Sequence, residues 1–400
     1  MASQYSLFSF GSINKRLMYP ILTGVSHVLI RIGNYIMQKE KVKGPQITDH
    51  PVLLNCAMFF GASLEIFPFI IEFLLSKSKK NKPKQKKKKN NYLKVCSLIF
   101  LIVFLEYFAS FSLKLVRTEK NIGFLELIAK LLTLGLTAII SILMLNMKYY
   151  IHHVIGFIIL LLGLFGYGLI ESAQYIKSIN TIKTQYFVFL LIYLIISLEG
   201  NIEKYLLDYE YVSSHLIVAL EGLFGLILSV FATFILNEKC KDSYYICKGV
   251  EYSYWNGFKE FFCTSGMTLG LCLYILGVFL FNTFKMKTNQ SYTPTHRSIG
   301  DNLSGILFWI MQLTIKYFRP DQMSVFKSIL QGLAYLVITI GILIFLELII
   351  VHFCNMDVNT RDRINYRIKK EKVEINNYQE LGCDILNNSI ENQIFEEEGD

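Results

Sequence analysis

Charged side chains interrupt several long apolar segments of this chain, and their presence in apolar surroundings needs an explanation. Glu126 and Lys130 are four residues apart and share a face if their segment is helical. Glu221 lies near the middle of another apolar segment, with no cation within reach on that segment. Arg297 and Asp301 are four residues apart where a further segment begins. Other apolar segments also contain acidic residues, namely Glu65, Glu72, Glu106, Glu199 and Glu347.

The cost of placing a charge in an apolar environment limits what these residues can do. A charge at the centre of a bilayer costs at least about 2.5–3.5 kcal/mol, so each must pair, become neutral or face water. Glu126 and Lys130 either neutralise each other, or Lys130 is a buried cation that meets an anionic substrate. Glu221 must be neutral, face a wet cavity or pair across helices. Arg297 and Asp301 could hold a substrate or form a gating pair.

The sequence offers little for metal binding or catalysis. His152 and His153 are adjacent, and because neighbouring helical residues point apart we do not expect them to share a metal. The sequence shows no spacing of metal ligands, no phosphate-cradling glycine loop and no nucleophile constellation. We therefore expect no metal, no cofactor and no enzymatic activity, with a membrane-embedded enzyme as an alternative.

Ten apolar segments long enough to cross a bilayer carry these residues. A helix that crosses about 30 Å of hydrocarbon needs about 20 apolar residues. The hydrophobic fraction of 53% and the mean hydropathy of +0.40 fit that use. The segments do not alternate in polarity as barrel strands would, so the sequence predicts an all-α membrane protein. The predicted spans are 15–37, 51–75, 92–114, 122–146, 150–170, 184–202, 212–236, 263–284, 298–316 and 325–353.

Lysine and arginine residues near the spans indicate the orientation. Nine lysines lie between Lys77 and Lys89, and this loop belongs in the cytosol because positively charged loops stay on that side. With ten spans, both termini are then cytosolic. The lysine loop is either a solvated topology anchor or a contact for anionic lipid in the bilayer. It contains no interleaved aromatic residues, so the net charge of +9 does not indicate nucleic-acid binding.

Cysteine and glycine residues suggest covalent and packing contacts. Cys240 and Cys247 share one polar loop, where they either form a disulfide in an oxidising lumen or stay free thiols. Gly266 and Gly270 form a GxxxG pattern, and such small residues let helices approach closely. We expect the pattern to serve packing within the chain, with a homodimer interface as the alternative.

Several short motifs, read together, resemble one transporter family. The most specific is Ile202-Glu203-Lys204-Tyr205 followed by Ala219-Leu220-Glu221-Gly222-Leu223-Phe224-Gly225, which is similar to an EKF/Y…EGLFG element. The other similarities are Leu22-Thr23-Gly24-Val25-Ser26, Asp49-His50-Pro51 with Met58-Phe59-Phe60-Gly61, Val154-Ile155-Gly156-Phe157 with Leu162-Gly163-Leu164, and Asn282 through Thr295, Arg297 and Asp301. On these motifs the chain resembles the drug/metabolite transporter superfamily, and within it the nucleotide-sugar-transporter-like solute carriers of family 35, F branch. It departs from the family at two basic positions, which are Ala129 and Ser304 here.

The resemblance implies an architecture and a binding site. It implies ten helices in two five-helix inverted repeats around a central cavity, with both termini in the cytosol. A cytosolic segment, 1–14, would precede the first repeat, 15–170, which contains the lysine-rich loop 76–91. A linker, 171–183, the second repeat, 184–353, and a polar cytosolic tail, 354–400, would follow. From the charges in the apolar segments and from the motifs together, the expected substrate-binding residues are Glu126, Lys130, Glu221, Asn282, Arg297 and Asp301.

These observations predict a secondary transporter that moves a small polar or anionic metabolite by alternating access. The resemblance implies a nucleotide-derived small-molecule substrate and an internal membrane of the Golgi, endoplasmic reticulum or lysosome type. A non-transporting membrane scaffold or interaction protein is the alternative. Paired charges that face one cavity would favour transport, whereas a cavity filled by bulky side chains would favour the scaffold.

The lysine loop makes the orientation testable. An epitope tag inserted between Lys80 and Asn90, or placed at the C-terminus, should be digested by protease added to the cytosolic side of sealed vesicles. The reason is that positively charged loops are retained in the cytosol. Immunoblotting for the tag measures the outcome, and protection of either tag would contradict the predicted orientation.

Overall fold

The computed structural model of the protein is built almost entirely from helices. It describes residues 8–10, 18–43, 51–78, 92–116, 122–172, 183–239, 259, 262, 264–315, 324–351, 360 and 367. The α-helices in these ranges are α1 (Met18–Lys43), α2 (Pro51–Ser63), α3 (Ile66–Ser78), α4 (Tyr92–Val116), α5 (Ile122–Leu145), α6 (Ile151–Ser172), α7 (Lys183–Asp208), α8 (Ser214–Lys239), α9 (Ser265–Ser291), α10 (Pro294–Thr314) and α11 (Val325–Phe345). Two three-residue strands are also present, β1 (Phe8–Phe10) and β2 (Ile349–Val351).

Helix length and surface character show that the chain is a helical membrane protein. Six helical stretches of the described residues are long and apolar enough to cross a membrane, namely Leu53–Leu75, Tyr92–Ser110, Ile151–Ile170, Ser214–Phe234, Ser265–Ser291 and Val325–Phe345. Large apolar side chains such as Leu74, Phe231 and Phe234 are exposed, whereas Glu199 and Glu203 are buried. In lipid, a protein is favoured when its apolar groups lie on the surface and its charged groups lie in the interior.

The second predicted span, 51–75, is two helices and not one. The helix is interrupted at Leu64 and Glu65, between α2 and α3. Pro68 explains the interruption, because proline lacks an N–H and its ring clashes with the carbonyl four residues earlier, which is that of Leu64. Glu65 lies in the interruption and is fully buried.

The chain divides into two compact units. The main unit comprises residues 13–148 and 159–339, and the terminal unit comprises 1–12, 149–158 and 340–400. In the main unit, α1 packs against α9 and α10, α2 against α8 and α9, α4 against α7 and α8, and α5 against α7 and α10. Helices from the two predicted halves of the chain therefore pack against each other.

The apolar core of the main unit lies where α2, α4, α7 and α8 meet. Phe59, Ile99, Val103, Leu206 and Ile217 are almost completely buried there. Large aliphatic and aromatic side chains from four helices fill this region, so it fixes the spacing of these helices, of which α7 and α8 carry buried charges.

Glycines set the distance between α2 and α8. A Cβ atom on Gly222 would overlap the backbone of Ser63, and one on Gly225 would overlap the ring of Phe59. Phe59 in turn stacks on Tyr107 of α4, with ring centroids 6.1 Å apart. The glycines of the EGLFG motif therefore permit a close helix crossing beside Glu221.

A second close crossing joins α1 and α9. A Cβ atom on Gly33 would lie 2.6 Å from the carbonyl oxygen of Gly270, which belongs to the GxxxG pattern. Gly270 thus packs within the chain, as the sequence predicts, and formation of a homodimer stays a prediction.

In the terminal unit, helix α11 ends in a Schellman motif. Glu347 has φ 58°, in the left-handed region. The N–H of Leu348 donates to Leu343 O at 2.9 Å, and the N–H of Glu347 donates to Ile344 O at 3.1 Å. These two bonds satisfy carbonyls at the helix end and turn the chain out of the helix.

The chain forms a short sheet after this turn. Strand β2 pairs antiparallel with β1, with Phe8 opposite Val351 and Phe10 opposite Ile349. The predicted tenth span, 325–353, was therefore too long at its C-terminal end, where apolar residues form a strand. The predicted segment 1–14 contains the partner strand.

The histidines at the start of α6 lie side by side. The ring centroids of His152 and His153 are 4.0 Å apart, so the expectation that the two side chains point apart is wrong. The N–H of Tyr150 donates to His153 Nδ1 at 3.4 Å, and His152 Nε2 is 2.8 Å from Glu347 Oε1. Both residues lie in the first helical turn, where no preceding turn blocks the rings from leaning the same way.

The α2–α8 crossing gives a test of the packing. Gly225→Ala should lower the melting temperature measured by scanning fluorimetry in detergent, because the added Cβ meets the ring of Phe59 and overpacking costs about 1–3 kcal/mol. Gly166→Ala is the matched control, since a Cβ there has no neighbouring atom within 4 Å. Equal melting temperatures of the two variants would contradict the packing described.

Candidate functional site

Four charged side chains from three helices meet inside the main unit. Glu199 and Glu203 lie on α7, Lys285 on α9 and Arg297 on α10, and all four are buried. Lys285 Nζ is 2.8 Å from Glu199 Oε1 and 3.0 Å from Glu203 Oε1. Arg297 Nη2 donates to Glu199 Oε1 at 2.7 Å, and Nη1 donates to Glu203 Oε2. Each cation bridges both carboxylates, and we call these four residues the ion-pair cluster.

Local sequence explains how the cluster forms. Glu199 and Glu203 are four residues apart, so their carboxylates share one face of α7. Gly200 lies between them, and a Cβ there would be 3.1 Å from Arg297 Nη1. Glycine therefore leaves space for the guanidinium group. Helix α10 begins at Pro294, whose fixed φ suits a first helical position, and this places Arg297 in the first turn.

Further polar groups join α7 and α9 next to the cluster. Asn289, one turn after Lys285, donates from Nδ2 to Glu203 Oε2 at 2.9 Å. Lys204 Nζ donates to the backbone oxygen of Asn289 at 2.6 Å and pairs with Asp208 Oδ2 at 3.1 Å. Hydrogen bonds with an ionised partner are roughly twice as strong as neutral ones, so these contacts hold the C-terminal ends of both helices together.

Carboxylates outnumber cations in and beside the cluster, within the residues that the structure describes. Glu221 of α8 is buried, and its carboxylate interacts electrostatically with Lys285 and with Glu106 of α4. Its Oε1 has no hydrogen-bond partner among the described residues. Glu106 also interacts with both cations of the cluster. Because these cations already balance two carboxylates, Glu221 and Glu106 must each take up a proton or meet a further positive charge.

The structure brings some of the predicted site residues together. Arg297 is part of the cluster and Glu221 lies beside it. Asp301, one turn after Arg297, interacts with it electrostatically, and Asp301 Oδ1 is 4.0 Å from His27 Nδ1. The hydrogen bonds of Arg297 go to the two glutamates of α7, Glu199 and Glu203. The predicted gating pair of Arg297 and Asp301 stays a prediction.

Other predicted residues are placed less directly. Asn282 is half-buried and lies one turn before Lys285, so it shares that face of α9. Glu126 and Lys130 lie in α5, but their side chains fall outside the described residues, and their pairing stays a prediction. The same holds for the side chains of the Lys77–Lys89 loop and for the Cys240–Cys247 pair.

The Glu203-Lys204-Tyr205 motif sends its three side chains to different neighbours. Glu203 joins the ion-pair cluster, and Lys204 reaches the end of α9. The hydroxyl of Tyr205 accepts from Lys94 Nζ of α4 at 2.9 Å, and Lys94 also pairs with Glu210 at 2.6 Å. The motif therefore ties α7 to α4, α9 and α10 at once.

Glu65 has structural partners of its own. Its Oε2 is 2.6 Å from His215 Nδ1 at the start of α8, and its Oε1 accepts from the hydroxyl of Thr283 on α9. The acid lies in the α2–α3 interruption and links three helices, which accounts for its burial without a role in the cluster.

Sequence reasoning did not select Glu199, Glu203, Lys285 or Asn289 as site residues. Lys285 and Asn289 lie in a polar stretch that follows the predicted span 263–284, where a lysine is unremarkable. The spacing of these residues could have indicated the site. Lys285 and Asn289 are four residues apart, as Glu199 and Glu203 are, so each pair lies on one helix face.

Comparison with known proteins adds information on the fold alone. No protein-family model matches the chain, and no curated protein matches it. A solved structure described only as "Crystal structure of protein" is similar, with a TM-score of 0.51 and 14% sequence identity. The similarity covers 82% of this chain and 96% of that one.

The cluster predicts that removing one charge harms the protein more than removing an opposite pair. Lys285→Met should lower the melting temperature strongly, because breaking a buried ion pair costs about 3–5 kcal/mol. The double variant Lys285→Met/Glu199→Gln removes one charge of each sign and should recover part of that loss. Scanning fluorimetry in detergent measures both.

Lys148→Met is the control for this experiment. Lys148 is exposed and lies outside the cluster, and exposed charges contribute little to stability, so this variant should melt near the parent temperature. Additive losses in the double variant, without recovery, would show that Lys285 and Glu199 do not depend on each other.

Proposed function

We propose that the protein is a secondary transporter that moves a small polar metabolite across an internal membrane by alternating access. The observation that supports this proposal is the buried ion-pair cluster between α7, α9 and α10, with the uncompensated carboxylate of Glu221 beside it. A non-transporting membrane scaffold is the competing function.

The cost of burying charge favours the transporter over the scaffold. Removing an ion from water costs several kcal/mol, and buried ion pairs can often be replaced by apolar residues with no loss of stability. A scaffold that only packs helices could use apolar residues in place of these ion pairs. A transporter needs the ion pairs, because pairs that separate and form again allow its helices two alternative arrangements.

The position of the cluster suits a gate. It lies towards the C-terminal ends of α7 and α9, where the short link Tyr292–Thr293 leads into α10. In alternating access, one end of a central site is closed while the other is open. We propose that the cluster closes one end of the site and separates when that end opens.

The packing of helices in the main unit supports two related repeats, within the proposed ranges 15–170 and 184–353. If α2 and α3 count as one span, the repeats relate α1 to α7, α2 to α8, α4 to α9 and α5 to α10. If each helix is replaced by its counterpart in the other repeat, the packed pair α1–α9 becomes α7–α4. In the same way, α1–α10 becomes α7–α5, and α2–α9 becomes α8–α4. Each converted pair is also packed in the main unit, as internal symmetry requires.

The charges of the site favour a substrate or coupling ion that is positive. An anionic, nucleotide-derived substrate must displace Glu199 and Glu203 from Arg297 and Lys285 before it can bind. A cationic group or a proton can instead associate directly with Glu221 and Glu106, which the two cations leave uncompensated. The surplus of carboxylates thus supports transport of a cationic or zwitterionic metabolite, or of a polar metabolite together with protons.

Uptake into proteoliposomes tests the proposal. With a panel of labelled cationic, zwitterionic and nucleotide-derived metabolites, the parent protein should transport at least one class. Glu221→Gln should abolish that uptake, because the amide keeps the shape of the side chain but can neither bind a proton nor balance a cation. The melting temperature should stay close to that of the parent protein.

Glu72→Gln is the matched control, since this acid accepts a hydrogen bond from Ser213 at an exposed position and lies outside the cluster. It should transport normally. Loss of folded protein in Glu221→Gln, with normal transport per remaining molecule, would favour the scaffold, as would the absence of uptake of every class by the parent protein.

A further inference from the structure

The terminal unit contains a group of side chains with the donor atoms of a metal site. His152 Nε2 is 2.8 Å from Glu347 Oε1, and His153 Nε2 is 3.8 Å from the same oxygen. Ligand atoms of the three residues all lie within 4.8 Å of one another. No other such group occurs among the described residues of the chain.

The contact between His153 Nε2 and Glu347 Oε1 is not a hydrogen bond. The distance of 3.8 Å from His153 Nε2 to Glu347 Oε1 exceeds the range of a hydrogen bond. Zn²⁺ binds imidazole nitrogen and carboxylate oxygen at about 2.0–2.2 Å, which places neighbouring tetrahedral ligands about 3.4 Å apart. The two observed distances lie on either side of that value, and all three ligand atoms lie within 4.8 Å of one another, so side-chain rotations can bring them to one ion.

The backbone of Glu347 supplies an independent reason to assign it a role. Its φ of 58° lies in the left-handed region, at the helix-end position that glycine normally occupies. A side chain there is less favourable than glycine. The glutamate therefore occupies a position where the fold alone would favour glycine, and its carboxylate is the group that reaches both histidines.

The surroundings of the three residues fit a metal site that is sheltered but reachable. His152 is buried, and His153 packs against the ring of Phe345, with centroids 5.1 Å apart. The Glu347 side chain is 19% exposed, so an ion and a water molecule can approach from that side. A ligating nitrogen must be unprotonated, and for His153 the proton would then move to Nδ1, where the 3.4 Å contact from the Tyr150 N–H would be lost.

We propose that His152, His153 and Glu347 bind a divalent transition-metal ion, with Zn²⁺ as the best-suited ion. Two imidazoles and one carboxylate are donors that zinc accepts with a fourth position left for water. The ion would join the first turn of α6 to the end of α11 within the terminal unit. This inference does not depend on the proposed transport activity.

Zinc titration of the purified, chelator-treated protein tests the proposal. Isothermal titration calorimetry should give one Zn²⁺ per chain, and Co²⁺ should give visible absorption bands of a low-coordinate ion. His153→Ala and Glu347→Gly should each weaken Zn²⁺ binding by more than about 10-fold, since even outer-shell changes cost that much. Zn²⁺ should raise the melting temperature of the parent protein and leave that of the variants unchanged.

Glu347→Gly separates loss of a metal ligand from loss of folding. Glycine suits the left-handed backbone, so this variant should fold at least as well as the parent. His296→Asn removes a histidine elsewhere and should bind Zn²⁺ as the parent does. Two results would overturn the proposal: the absence of Zn²⁺ binding by the parent protein, or equal Zn²⁺ binding by the parent, His153→Ala and Glu347→Gly.

Discussion

Glu199 and Glu203 point their carboxylates from one face of α7 into the interior of a protein whose surroundings are lipid. Two negative charges so close together are tolerated only if cations reach them from other helices. Lys285 of α9 and Arg297 of α10 do so, and each bridges both acids. The mutual positions of α7, α9 and α10 therefore follow from an electrostatic requirement.

Close backbone approach makes this requirement achievable. A lysine or arginine side chain spans only a few ångströms beyond its own helix, so the three helices must lie near one another. Gly200 leaves room for the guanidinium group of Arg297, while Gly222 and Gly225 bring α8, which carries the buried Glu221, against α2. Bulky residues would separate the helices and leave the carboxylates without partners, so the glycines and the charges form one interdependent set.

The sequence predicted the helical membrane character well, because long apolar segments have one stable form in lipid. The sequence predicted helix ends less well where an apolar run continues past the end of the helix. The apolar run after Phe345 continues to Val351, yet the chain leaves the helix at Glu347, a residue that gives no glycine signal for a helix end. Glu199, Glu221 and Arg297 were conspicuous as charges in apolar surroundings, whereas Lys285 was hidden in a polar stretch. Which cation meets which acid depends on tertiary contacts, and local patterns do not encode those.

The pairing of β1 with β2 has a consequence for the path of the whole chain. Hydrogen-bonded strands lie about 4.8 Å apart, whereas the hydrocarbon layer is about 30 Å thick, so the two strands must lie on the same face of the membrane. The stretch from Phe10 to Ile349 is therefore a closed excursion that leaves one face and returns to it. Two strands of three residues each therefore fix both ends of this stretch on one face of the membrane.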